Sequence, residues 1–118
     1  VKRGGPLKRT PLARIGRRAK AKASLRATTV NLVRRRDVRC QFVYWVMQAK
    51  LDRRIDQLEE PLSCSPILDV HELMARSKMR DAELDPDNCV LLCRAHHEWL
   101  DRHRDQAQAI GLYRREKS

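Results

Sequence analysis

Val43, Val46, Met47, Leu51, Ile55 and Leu58 recur at steps of three and four with charged residues between them. That period belongs to a helix with one buried face, and it predicts a helix from Phe42 to Glu59, ended by Pro61 and Pro66. Ile67 to Leu73 alternates instead, which suits a strand. Upstream, Leu25, Val30, Leu32 and Val33 allow a helix from about Ser24 to Arg39. Downstream, Ser77 to Asp87 reads as a polar return, and Asp87 or Asn88 can N-cap a helix that carries Cys93 to about Arg104. Gly111 marks a final break. Residues 1–24 are expected to be extended and disordered, because Pro6, Pro11 and three glycines oppose regular structure around an imperfect repeat, Pro6-Leu7-Lys8-Arg9 and Pro11-Leu12-Ala13-Arg14.

Charge divides the chain further along, at residue 39. Residues 1–39 hold 14 Lys/Arg against Asp37 alone, whereas residues 40–118 hold 12 Lys/Arg against 14 Asp/Glu, so the net +11 is +13 in one part and −2 in the other. A concentrated cationic arm on a near-neutral body calls for a polyanion partner, since each phosphate neutralised releases condensed counterions. Nucleic acid is the expected partner. A membrane is not, because the arm lacks the apolar face of an interfacial helix and the longest apolar run, Phe42 to Met47, is far too short to span a bilayer. The expected organisation is an arm over 1–24 and one domain over 25–118.

A domain of that size has a small core, so a structural metal is a plausible supplement to hydrophobic burial. Cys40, Cys64, Cys89 and Cys93 are the four cysteines, and no apolar signal segment follows the basic N-terminus, so a reducing cytoplasm and metal ligation are expected rather than disulfides. Cys93-Arg94-Ala95-His96-His97 places soft and borderline ligands together, downstream of a strand-like Leu68-Asp69-Val70-His71-Glu72-Leu73 and of Asn88, nine residues before His97. The order His71, Asn88, His97, with the Asn88-Cys89-Val90-Leu91-Leu92-Cys93 approach, resembles the HNH family of ββα-metal nucleases over roughly the last two-thirds of the chain. With the basic arm, Cys93 to Trp99 and the ending Ala109 to Arg115, the likeness is to the small HNH endonucleases of actinobacterial bacteriophages.

That resemblance implies an α+β fold, a ββα-metal core with added helices, and metal-dependent hydrolysis of DNA phosphodiesters in the cytoplasm of a bacterial host. It implies one catalytic divalent cation (Mg, Mn, Ni or Zn) and a structural zinc, which in the family commonly sits on two Cys-x-x-Cys knuckles. Here ligand chemistry assigns the zinc to Cys40, Cys64, Cys93 and His96, a closed Cys3His set that departs from the family pattern because a helical insertion separates Cys40 from Cys64 and His96 replaces the last cysteine. Some relatives lie beside terminase genes, so phage terminase subunits are an implied partner beside DNA. Cys89 falls at an apolar family position and is expected to be a small buried hydrophobe. Aligned on apolar residues, His71 falls at the metal-ligand position and Glu72 at the base position, with Asn88 orienting and His97 as helix ligand. Strand periodicity offers another register, in which Asp69 and His71 share a face as ligand and base and Glu72 points elsewhere. Arg76, Lys78, Arg80, Arg94 and Arg102 flank this centre and are candidates for phosphate contacts. Ser77 matches a family loop serine, although Lys78 and Met79 stand where glycines usually follow. The rival reading is a non-catalytic zinc-stabilised DNA-binding module that has lost its base.

Overall fold

The computed structural model describes residues 5–58 and 63–115, with side chains of the first segment described from residue 16 onward. Its elements are α1 (Gly5–Asp37), α2 (Phe42–Leu51), β1 (Leu68–Glu72), two single 3₁₀ turns (Ala82–Leu84 and Pro86–Asn88), β2 (Cys89–Cys93), α3 (Arg94–Arg102) and α4 (Arg104–Ile110). The fold is mixed α+β with one small sheet. No helix among the described residues is long and apolar enough to cross a membrane.

β1 and β2 pair antiparallel, with Asp69 opposite Leu92, Val70 opposite Leu91 and His71 opposite Val90. Because strand side chains alternate, the ribbon has two differently committed faces. On one face Leu68, Val70, Cys89 and Leu91 pack against Val33 of α1. On the other, Val90 and Leu92 join the main core of Phe42, Val46, Ala49, Trp99, Leu100, Ala107, Ile110 and Leu112. β2 is thus buried along its whole length. A strand covered on both faces is apolar without alternation. That continuity explains why residues 89–93 were expected within a helix: the structure makes them a strand and starts α3 only at Arg94, with Cys93 as the N-cap whose sulfur accepts the His96 N–H at 3.5 Å.

The outer edge of β2 is closed by the end of α1 and the linker that follows it. The Leu91 N–H donates to Asp37 Oδ2 at 2.9 Å, Gln41 N–H donates to the Leu91 carbonyl at 2.9 Å, and Arg36 Nη2 donates to the Cys89 carbonyl at 2.6 Å. Unpaired edge groups are a route to association, and here they are satisfied within the chain. Thr29 adds a bond to the Leu84 carbonyl at 2.9 Å, so α1 also holds the loop between the strands.

Two helices differ from expectation. α1 begins at Gly5, so residues 5–24, expected to be extended, are helical, and residues 1–4 lie outside the described residues. Ala19, Ala21, Ala23 and Ala27 with intervening Lys, Arg and Leu are strong helix formers, and Pro6 sits in the first turn, where a missing N–H is tolerated. α2 stops at Leu51 rather than Glu59. Arg53 takes a left-handed φ of 58°, its N–H donates to the Lys50 carbonyl at 3.1 Å, and the Arg54 N–H donates to the Ala49 carbonyl at 2.8 Å. This is a Schellman ending built on arginine instead of glycine. The expected terminus at Glu59 and the breaker Pro61 lie outside the described residues.

Arg54 then caps α4, donating to the Ala109 and Ile110 carbonyls at 2.9 and 3.1 Å. Gly111 ends α4 at φ 96°, and a Cβ there would meet Trp45 Cζ3 at 3.2 Å.

Asp37→Ala should cost about 1–3 kcal/mol in urea unfolding, because it leaves the buried Leu91 N–H without its acceptor. Asp37→Asn keeps an acceptor oxygen and should cost less than the alanine variant. Equal stability of wild type and Asp37→Ala would mean that the edge closure contributes nothing. In the same assay Gly111→Ala should lose about 1 kcal/mol or more, through its positive φ and the Trp45 contact.

Candidate functional site

Two clusters of chemistry-bearing side chains meet at the start of α3. The first is Cys40, Cys64, Cys93 and His96, whose donor atoms all lie within 4.8 Å of one another. His96 Nδ1 stands 3.5 Å from Cys40 Sγ, 3.7 Å from Cys64 Sγ and 3.0 Å from Cys93 Sγ. Tetrahedral zinc with bonds of about 2.3 Å to sulfur and 2.0–2.1 Å to nitrogen puts sulfur and nitrogen about 3.6 Å apart, so the set could hold such an ion. Cys40 lies in the α1–α2 linker, Cys64 precedes β1, and Cys93 and His96 flank the first turn of α3. Four donors from three chain segments are therefore in place. Phe42 stacks on the His96 ring at 4.1 Å between centroids, 3° from parallel, which fixes the ring plane.

The thiols of this cluster titrate apart. Burial pushes the Cys64 thiol up to about 12, helped by charge on Cys40 and Cys93. Cys40 is raised as well, chiefly by burial. Burial also pushes at Cys93, but donation from the His96 N–H and from Ser65 prevails and holds that thiol below its ordinary value. Three crowded sulfurs resist carrying three negative charges together, and a bound divalent cation reverses that logic by stabilising thiolates outright.

The fourth cysteine stands apart. Cys89 is buried among Val33, Leu91, Leu68 and Val70, and its sulfur is 3.8 Å from the Ala82 carbonyl. Arg26 Nη1 also stands 3.9 Å from that sulfur, and Cys89 is not part of the Cys40, Cys64, Cys93 and His96 group.

The second cluster lies on the α3 side of the ribbon. Asp69 and His71, two apart on β1, face α3, and His97 reaches them from its first turn. His97 Nδ1 is 3.5 Å from Asp69 Oδ2, and the His71 and His97 rings meet edge to face at 5.1 Å. Arg94 grips the same carboxylate with two bonds, Nε to Oδ2 at 3.2 Å and Nη2 to Oδ1 at 3.1 Å. That hydrogen-bonded guanidinium holds Asp69 below the usual carboxylate value. His71 Nε2 bonds the Leu112 carbonyl. A carbonyl only accepts, so Nε2 carries the proton and Nδ1 is left with the basic lone pair. Burial lowers the His71 pKa, which favours that neutral form.

Glu72 does not join this centre. Strand alternation turns it to the α1 side, where it takes Arg76 at 3.1 Å and Arg26 at 3.7 Å. The register that makes Glu72 the base therefore disagrees with the geometry, while Asp69, His71 and His97 do come together. Asn88 is also elsewhere: its Oδ1 accepts the Met74 N–H at 3.0 Å, and its Nδ2 donates to the Met74 carbonyl at 3.0 Å and the Ala82 carbonyl at 3.2 Å. It ties the inter-strand loop to the start of β2, so it positions β1 and has no donor or acceptor turned toward the histidines.

Of the five cationic residues expected to hold phosphates, Arg94 is paired with Asp69, and Arg76 with Glu72 and Glu83. Lys78, Arg80 and Arg102 are exposed and form no ion pair among the described residues. Sequence reasoning missed the Leu112 carbonyl, Phe42 and Ser65. Backbone acceptors and stacking partners have no sequence signature, although Phe42 two residues from a candidate ligand was a usable hint.

No family model, curated protein or solved structure matches this chain.

Purified protein should hold about one equivalent of tightly bound zinc, measured by atomic emission. Cys93→Ser should lose it together with cooperative unfolding, because metal binding and folding are linked in sites of this kind. Cys89→Ala should keep both. Zinc retained at full stoichiometry by Cys93→Ser would contradict the assignment.

Proposed function

We propose that this protein is a metal-dependent DNA endonuclease of the HNH type, with its hydrolytic centre at Asp69, His71 and His97 and a structural zinc on Cys40, Cys64, Cys93 and His96. The observation that carries the reading is the meeting of Asp69, His71 and His97 on the α3 face of the ribbon, with His71 held in the tautomer that leaves one nitrogen basic. The 3.5 Å between Asp69 Oδ2 and His97 Nδ1 suits a cation about 2.1 Å from each. Asp69 and His97 would hold it, and its chemistry there is neutralisation of the scissile phosphate and the leaving oxygen.

The chain's own residues supply the rest. His71 Nδ1 takes the proton of the attacking water while the Leu112 carbonyl keeps the imidazole oriented and stabilises it once protonated. Arg94 supplies a second positive charge beside the phosphate. Exposed Arg17, Arg18, Lys20, Arg34 and Arg35 on α1, with no acid before Asp37, supply duplex affinity through counterion release. The phage packaging setting, terminase subunits as partners and the host cytoplasm rest on the family resemblance.

A second reading, a zinc-stabilised DNA-binding module without catalysis, has its own support. Glu72 points away from the centre and Arg94 occupies Asp69, as in a site that has become structural.

Supercoiled plasmid incubated with magnesium, manganese, nickel or zinc separates the two. Cleavage should require one of these ions and fall about 10²–10⁴-fold in His71→Ala, the range of a positioned base. Asp69→Asn and His97→Ala should be comparably severe and Glu72→Gln mild. Wild-type protein that shifts DNA in a gel yet leaves plasmid intact with all four ions would establish the binding module.

The pH profile adds an independent check. The base works in its neutral form, and burial lowers the His71 pKa, so cleavage should persist as pH falls below the ordinary histidine value of about 6.5. A bound cation pushes the same way. A limb displaced above that value would assign the base to another group.

A further inference from the structure

Arg94 and Asp69 form a two-point ion pair beside His97, whose ring meets His71. Nε stands 3.2 Å from Oδ2 and Nη2 3.1 Å from Oδ1, and the pair is solvent-accessible, with side-chain exposures of 53% and 24%. Oδ2 is also the oxygen that stands 3.5 Å from His97 Nδ1. One oxygen therefore faces two competing uses, as hydrogen-bond acceptor for a guanidinium and as ligand for a cation.

We propose that Arg94 is a built-in stand-in for the catalytic cation, holding Asp69 until cation and phosphodiester arrive and then turning onto the phosphate. This inference rests on the reading of Asp69 and His97 as the cation site. Arg94 is the first residue of α3, so its backbone is fixed by the Cys93 cap while its long side chain remains exposed and free to turn. A guanidinium grips phosphate with the same planar two-donor geometry that it uses on a carboxylate. No other basic group contacts Asp69 apart from His97 among the described residues, so the exchange has one moving part.

Two opposite consequences follow. Without DNA, the Arg94 charge repels an incoming cation and competes for its ligand, so the bare site binds divalent ions weakly. With DNA, a phosphate that draws Arg94 away frees Asp69, so DNA and cation each favour the other's binding, by the reciprocity that links any two ligands. Arg94 is then both a lock on the empty site and a phosphate contact in the working one.

The test uses full-length, zinc-loaded protein and Mn²⁺ alone as the probe, with free Mn²⁺ read by its electron paramagnetic resonance signal. Arg94→Ala should tighten Mn²⁺ binding by about tenfold, the scale for removing a unit charge near a divalent ion at an exposed site. Arg94→Lys should lie between, because a single ammonium cannot grip both oxygens. Plasmid cleavage by Arg94→Ala at saturating Mn²⁺ should nevertheless be slower than wild type. A residue that merely supported the fold would weaken both readouts together. Mn²⁺ binding unchanged or weaker in Arg94→Ala, with Asp69→Asn abolishing it, would overturn the lock and leave the cation site standing. Asp69→Asn binding Mn²⁺ as wild type does would remove the site itself. Cleavage by Arg94→Ala as fast as wild type would overturn the transfer of Arg94 to phosphate.

Discussion

The backbone of Leu91 is the point on which this structure turns. A two-stranded ribbon is marginal in water by itself, and β2 is apolar on both faces, so it persists only if helices cover both faces and something accepts its outer-edge N–H groups. Asp37 and Gln41 complete that edge, and they bracket Cys40, Asp37 at the end of α1 and Gln41 one residue beyond the cysteine. The same short stretch therefore closes the sheet and places Cys40 beside Cys64, Cys93 and His96.

The two faces of the ribbon divide the work. On the α1 side, Leu68, Val70, Cys89 and Leu91 are committed to packing, and Glu72 to the ion pairs that fasten Arg26 and Arg76. On the α3 side, Val90 and Leu92 enter the main core, while half-buried His71 meets the His97 ring and Asp69 is held by Arg94 and His97. α3 begins at Cys93 because that sulfur caps it, so the cysteine that belongs to the metal cluster also sets where Arg94, His96 and His97 emerge. A one-residue change in that start would rotate all three by about 100°.

How much of this was legible in the sequence depended on whether a residue's role is periodic or chemical. The Cys40, Cys64, Cys93 and His96 set was readable from ligand chemistry even though a helix separates the first two cysteines. β1 was readable from its alternation. β2 was not, because Cys89 to Cys93 is uniformly apolar and a strand buried on both faces gives no period to count. The early end of α2 at Leu51 was hidden because Arg53 adopts a left-handed conformation usually reserved for glycine. In residues 5–24 Pro6 and Pro11 signal extended chain, but the run of alanine, lysine and arginine favours helix, and helix prevails. For the site, alignment on apolar residues favoured Glu72 as base, while the simpler fact that strand residues two apart share a face pairs Asp69 with His71.

Anomalous diffraction from crystals soaked in Mn²⁺, recorded at the zinc and manganese edges, would locate both proposed metal centres. Zinc density is expected among Cys40, Cys64, Cys93 and His96, and manganese density between Asp69 Oδ2 and His97 Nδ1, on the α3 face of the ribbon. Manganese bound through Glu72 on the α1 face, or a Cys3His set without zinc, would contradict that placement.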